Sequence, residues 1–448
     1  MTTTDTASPD PPRLSRTTRA MARVRGVARW TAIVLVLLFA LIGFLQTTRG
    51  TAVRHVEGVA GDQAPVAVDE PHFPLAVTML SGAWVTEGHH VEIMLDGDGT
   101  YPRLWEDLRA AERSITLQIY YGTPGRMAQE LSAILQERAH AGVRVALLYD
   151  AFGTVDIPAD ARRRLRESGV IVQPFRPIRL QTLHLAQNRS HVRGIVIDGR
   201  IGWTGGFGID DKWYGDGRTS GSWRETNVRF TGPAVVQLQA AFATAWVEAT
   251  GVLLTGRTSI TREENGVTAG LLYTTPTLGS TSAERFMALS IAGARRTLYI
   301  TNAYFAPDAS FVDQLARAAR SGVDVRILTS GPLTDVGIVR YAGRAWYERL
   351  LTAGVRLYEW QPGNLHAKTF VVDGRWVSIG SMNFDNRSMA LNDEAMLMVL
   401  DEAAGARMDE IFFEDLQDAT EIVADQFDRR PWWQRMAEIA SNLVTRLL

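Results

Sequence analysis

The sequence predicts an α/β fold built twice over: two similar α/β/α halves related by a pseudo-twofold axis, with one shared site, behind a membrane-spanning N-terminal helix. Three observations predict it. Segments patterned as strands alternate with segments patterned as helices. Four such segments recur, in the same order, in the second half of the chain. One uncharged apolar run stands near the N-terminus behind a stretch rich in arginine.

The bulk numbers narrow the function. The chain has 448 residues, 46% hydrophobic and 21% charged, which is the balance of a globular protein of two or three ordinary domains. A net charge of -2 and a pI near 6.5 argue against a general nucleic-acid binder. With no cysteine, disulfides, thiol catalysis and cysteine metal sites are excluded, and redox compartment is left open. Among 47 basic side chains only Lys212 and Lys368 are lysines, so each retained lysine is informative.

Taken in chain order, residues 1–29 form an Arg-rich tail carrying Arg13, Arg16, Arg19, Arg23, Arg25 and Arg29. Residues 30–46, WTAIVLVLLFALIGFLQ, follow without a charge, at the short end of a membrane span. The arginines predict a cytoplasmic N-terminus, a single span of a bacterial cytoplasmic membrane, and a catalytic domain on the outer side. A cleaved signal peptide is the competing reading, but no Ala-x-Ala site follows the run. A hairpin or surface insertion is a third. Residues 47–75 are mixed and weakly periodic and read as a linker.

Residues 76–255 make the first half. VEIMLDGDGTYPRLWEDLRAAERSITLQIYYG (91–122) reads as strand, loop, helix, strand, with Leu104, Leu108 and Ala111 at helical spacing. A helix around MAQELSAILQERAHAG stops at Gly142, and VRVALLYD follows as a buried strand. Residues 256–430 repeat this plan. ARRTLYITNAYFAP (294–307) echoes AERSITLQIYYGTP (111–124), and LARAARSGVDVRIL (315–328) echoes LQERAHAGVRVALL (135–148). LLTAGVRLYEW (350–360) echoes LRESGVIVQPF (165–175). NLHAKTFVVDGRWVSIGSMN (364–383) echoes NRSHVRGIVIDGRIGWTGGFG (188–208).

The last pair carries the chemistry. On an extended strand alternate side chains share a face, so His366 and Lys368 point the same way, as do His191 and Arg193. A tight Asp-Gly turn follows each. A lone His-x-Lys is as readily a surface strand as a site; two copies inside a long repeat favour the site. No third ligand stands nearby for a metal, and an adjacent lysine repels one. A histidine beside fixed positive charge suits attack on a phosphate. Two such histidines facing one phosphorus supply a nucleophile and a general acid.

HAKTFVVDGRWVSIGSMNFDNRS (366–388) resembles the His-x-Lys-x4-Asp-x6-Gly-Ser-x-Asn signature of the phospholipase D superfamily. The run through LNDEAML, with Asn392 and Glu394, is similar to the bacterial cardiolipin synthase branch, as are WRETNVRFTGPAVVQLQAAFATAW (223–246) and Gly205-Gly206 in place of Gly-Ser381. The likeness runs from about residue 75 to the C-terminus. It implies a phosphatidyltransferase acting on phospholipids, phosphatidylglycerol among them, through a phosphohistidine and without metal or other cofactor. A phospholipase D-type hydrolase and a catalytically impaired lipid-binding protein are the alternatives. The resemblance makes His191 the nucleophile and His366 the acid and then base, though the two roles are exchangeable. It makes Lys368 and Asn383 phosphate ligands. Glu394 would orient His366, and Glu225 would do the same for His191. Asp198 and Asp373 would brace their turns. The first motif departs from the pattern twice: Arg193 stands for lysine, and Gly208 for asparagine. Either Arg193 binds phosphate as a fork, or this half-site has decayed.

The remaining features are read more broadly. Aromatics in YYGTPGRMAQE and NAYFAPDAS line an opening or pack in the core. GGFGIDDKWYGDGRTSGSW (205–223) is expected to overhang the site. At the C-terminus, 431–448 opens with proline and carries Trp432, Trp433, Met436, Ile439, Leu443 and Leu447 on one face of a helix. That helix suits a membrane interface or packing on the domain. Oligomeric state is not encoded in any recognisable pattern.

Overall fold

The structure is a computed structural model that describes residues 16–47, 52–59, 64–179, 186–255, 260–276 and 281–442. The chain divides into two compact units, residues 1–50 and 51–448. In the first, Arg16–Thr47 is a single helix. Its window Val24–Leu41, 18 residues of mean hydropathy 1.9, is long and apolar enough to cross a membrane. At about 1.5 Å per residue it approaches the ~30 Å of a hydrocarbon core. The helix begins well before the expected apolar run because the arginine-rich stretch is itself helix-forming.

The second unit is built on one mixed sheet of 15 strands. From one edge, the order is Ile171–Phe175, Arg144–Asp150, Ser114–Ile119, Gly194–Ile197, Ile201–Gly205, Thr226–Thr231 and Thr86–Leu95. The sheet continues with Val267–Thr274, Glu394–Leu400, Trp376–Gly380, Lys368–Val372, Thr297–Asn302, Asp324–Ser330, Arg356–Trp360 and a short Ala419–Glu421. Read outward from the Thr86–Leu95 and Val267–Thr274 junction, the two series repeat one plan, the second adding one edge strand. In each, three parallel strands joined by helices are followed by antiparallel partners. That is the strand–helix alternation the repeat predicts, since parallel neighbours need a crossover helix.

The Asp-Gly turns explain themselves. Asp198 (φ 55°) accepts from the backbone N–H groups of Glu112, Arg113 and Ser114. Asp373 (φ 52°) accepts from those of Arg295, Arg296 and Thr297. Each carboxylate ties the hairpin to the start of the next strand at three donors that otherwise lack partners. Both face the end of the sheet away from the histidines.

Two expectations differ in detail. Residues 91–122 contain no loop after the first strand: the helix starts at Asp96 and runs to Arg109. Among the described residues, the stretch expected as a linker is packed from Val53 on: Val53 and Val56 lie against the core, and Gln314 and Arg317 donate to the Val53 and Arg54 carbonyls. Val68 and Phe73 are buried in the core of the second half with Phe286 and Trp376. Phe73 opens a helix, Phe73–Ser81, that the weak periodicity concealed.

Candidate active site

The four strand ends around the centre of the sheet carry the motif residues. His191 lies one residue before Val192, at the start of the hairpin 194–205; His366 lies before strand Lys368–Val372. Short bridges then bring the halves together. Asn364 and Leu365 pair in parallel with Trp223 and Arg224, and His366 N–H donates to the Arg224 carbonyl at 2.8 Å. Ser190 bridges Asp393, and His191 N–H donates to the Asp393 carbonyl at 2.9 Å.

These bridges decide which carboxylate meets which imidazole. His191 Nδ1 lies 2.9 Å from Glu394 Oε1, and His366 Nδ1 lies 2.6 Å from Glu225 Oε2. The expected assignment, Glu394 to His366 and Glu225 to His191, is therefore reversed. The physical reason is that each glutamate follows the segment that bridges to the other half's histidine. Both glutamates are fully buried, and both imidazoles nearly so.

Arg193 settles the tautomer of His191. Its Nη1 donates to Nε2 at 3.1 Å, and arginine has no acceptor, so Nε2 is unprotonated and Nδ1–H faces Glu394. Arg193 is 2% exposed, and its Nε has no partner among the described residues. A buried, partly unsatisfied guanidinium is costly until an anion arrives. Lys368 Nζ donates to the His366 carbonyl, and Asn383 Oδ1 has no partner among the described residues.

Burial and the neighbouring cations shape the electrostatics. Desolvation, then Arg193 and Lys368, hold the His191 imidazole well below its ordinary 6.5. Desolvation, then Lys368 and Arg193, do the same to His366. Burial pushes Glu225 up to about 7 and Glu394 up to about 8. Burial also brings Lys368 down to about 7, against the pull of Glu225. Each histidine–glutamate pair thus holds its proton near neutrality while keeping an uncharged imidazole.

The departures in the first motif are filled rather than vacant. A Cβ on Gly208 would lie 2.7 Å from the Trp213 ring, and one on Gly206 would lie 2.4 Å from Glu225 Oε2. Trp213 packs edge-on to His366, ring centroids 5.2 Å apart, and its Nε1 lies 3.4 Å from Glu225. In the second motif Ser381 Oγ donates to Glu394 at 2.5 Å. Trp213 therefore takes, toward Glu225, the place that Ser381 takes toward Glu394. Gly205, beside them, packs against Asn227.

Both histidines line one cavity of about 650 Å³, with Arg193, Asn383, Tyr120, Tyr304 and Lys212 on its wall. The loop 205–223 does overhang it, through Lys212, Trp213 and Trp223. The acidic residues of that loop are engaged in structure: Asp211 accepts from the N–H groups of Arg126 and Met127, opening the next helix. Sequence reasoning missed Arg224, which is 1% exposed and holds Asp415 through Nε and Nη2 at 2.9 and 2.8 Å. Its neighbour Glu225 was the one available signal. Tyr120 and Tyr304, set edge-on to His191 and His366, resolve the aromatic strand ends as cavity wall.

The chain is similar to known proteins over most of its length. Residues 288–416 match the family model described as cardiolipin synthase, PLD-like domain. The chain is 34% identical over 399 residues to the cardiolipin synthase of Geobacillus kaustophilus, covering 86% of this chain and 79% of that one. It is 31% identical over 375 residues to the major cardiolipin synthase of Bacillus subtilis, covering 83% and 78%. Among solved structures, the phosphatidylserine synthase of Haemophilus influenzae has the same fold, with a TM-score of 0.64 at 14% identity over 84% of this chain and all of that one.

Proposed function

The chain belongs to the cardiolipin synthase family, and on that premise we propose that it transfers a phosphatidyl group from one phospholipid to a hydroxyl of another, with phosphatidylglycerol as donor and acceptor. One observation carries the reading: two imidazoles, each held by a buried carboxylate from the opposite half, open on one cavity that Arg193 also lines, with Lys368 buried behind it on the His366 carbonyl. This crossed pairing supports two pseudo-twofold halves sharing a single site.

In the proposed cycle the donor phosphate enters between the rings and draws Arg193 away from His191 Nε2. That nitrogen attacks phosphorus; the P–O bond to glycerol breaks, and the leaving oxygen takes the Nε2 proton of His366 while the protonated Glu225 carboxyl passes its own to Nδ1, so the ring stays neutral. Lys368, Arg193 and Asn383 hold the equatorial oxygens. The acceptor hydroxyl then gives its proton to His366 Nε2, Nδ1 returns its proton to Glu225, the hydroxyl oxygen attacks phosphorus, the P–N bond breaks, and both histidines are restored. Glu394 and Glu225 keep Nδ1 of each ring oriented, and Glu394 balances the imidazolium that forms on His191. The arginine-rich stretch ahead of the apolar helix supports a cytoplasmic N-terminus with the catalytic unit across the membrane.

Incubation of purified protein with phosphatidylglycerol tests the reading: cardiolipin and glycerol are expected. Phosphatidic acid instead marks a hydrolase, and unchanged lipid a silent protein. A pH profile follows from the cavity. Neutral imidazoles survive to below pH 6.5, so the acid limb of kcat/KM falls there. Lys368 loses its proton above about 7, and the glutamate pairs lose theirs above about 7 to 8, so kcat/KM falls again as pH rises. Activity constant from pH 6 to 9 contradicts this electrostatic picture.

A further inference from the structure

The helix Trp432–Asn442 is turned inside out. Its buried side is polar: Glu438, 1% exposed, pairs with Arg344 at 3.2 Å and with Arg430 at 2.9 Å, and Ser441 is buried beside it. Its outward side is apolar: Trp432, Trp433, Met436 and Ile439 are 76%, 50%, 56% and 57% exposed. An ordinary surface helix has the opposite arrangement. Packing on the domain and an apolar outer face, read from the sequence as alternatives, here hold together. Leu443 and Leu447 lie outside the described residues.

The helix packs along Gly337–Arg344, and Val339 of that segment, with Val336 just before it, walls the catalytic cavity. Exposed Leu333 and Ile338 adjoin this wall, and exposed Phe152 and Ile178 line the cavity as well. We propose that this apolar belt at the cavity mouth seats on the surface of an anionic phospholipid bilayer, with Trp432, Trp433, Met436 and Ile439 as a contact additional to the N-terminal helix. Three features select a bilayer as occupant. Adjacent tryptophans suit the headgroup boundary, where an apolar ring and a polar N–H are both satisfied. Arg429 and Arg435 are exposed on the same stretch, and the only acid of the helix, Glu438, is sequestered in ion pairs. The belt also borders the cavity that, on the function proposed above, must receive a membrane lipid, and the choice of occupant rests on that reading.

The absence of cysteine makes the test direct. Met436→Cys in the full-length chain takes a single environment-sensitive fluorophore, with Ile439→Cys as a second position and Glu402→Cys, on the opposite end of the sheet, as a control. The protein is reconstituted in phosphatidylglycerol–phosphatidylcholine vesicles containing nitroxide-labelled lipid. Labels at 436 and 439 are expected to shift to the blue and to lose at least half their emission to the nitroxide, while the label at 402 stays water-like. Labels at 436 and 439 that stay water-like overturn the proposal. So does a blue shift insensitive to nitroxide lipid but accompanied by energy transfer between copies, which marks a self-association face. Quenching without lipid turnover leaves the docking proposal standing and removes the transferase reading.

Discussion

Replacement of His191 by alanine is expected to lower the rate of transfer at least ~10⁴-fold, to the limit of detection. The His191 imidazole is uncharged, opens on the cavity and has Nε2, the nitrogen the proposed route uses as nucleophile, held by Arg193. Its loss also removes one partner of a fully buried Glu394, leaving Ser381 and Asn392. His366→Ala is expected to fall less for a donor whose leaving group needs no proton, because a general acid contributes ~10²–10⁴ only where protonation is required. Equal losses in His366→Ala with glycerol and with a nitrophenol leaving group would contradict the assigned roles. Full retention of transfer in His191→Ala would remove the covalent route altogether.

Arg224→Leu is expected to destabilise the catalytic unit by ~3–5 kcal/mol, the usual cost of stranding a buried charge by removing its partner. Arg224 spans Asp415 and Asp96, both buried, and its Nη1 also reaches the Glu225 carbonyl and Thr226. Burial raises Asp96 to about 6 even with Arg224 beside it, so that carboxyl gains a proton still more readily once the guanidinium is gone. The loss is therefore expected to be smaller at pH 5, where Asp96 is neutralised, than at pH 8. Chemical denaturation at the two pH values measures it. A midpoint that does not move at either pH would mean that Arg224 stabilises neither acid. Transfer is expected to fall too, since the Arg224 carbonyl holds the backbone of His366.

Much of this was legible in the sequence because a repeat announces itself in the order of residues. His191 with Arg193 and His366 with Lys368 share a spacing, and each precedes an apolar run ending in Asp-Gly, so the strands, the turns and the convergence of the motifs followed. The pairing of glutamates did not follow. A repeat says which residues are equivalent, not which half each one touches, and the bridges of Ser190 to Asp393 and of Leu365 to Arg224 join segments far apart in the chain. Gly208 read as a loss because the asparagine it replaces is visible in the pattern, whereas Trp213, which occupies that space, is not. The docked segment around Phe73 was hidden for a different reason: a nine-residue helix that places only Phe73 and Val77 in the core has too little periodicity to stand out.

The covalent intermediate offers the most direct test of two histidines working on one phosphorus. His366→Ala protein, mixed with a radiolabelled phosphatidyl nitrophenyl ester, whose leaving group needs no proton, is quenched in base and digested. The expected result is an acid-labile phosphatidyl group on the peptide containing His191. Label on a peptide of the second half, or product release with no labelled protein at any time, would contradict it.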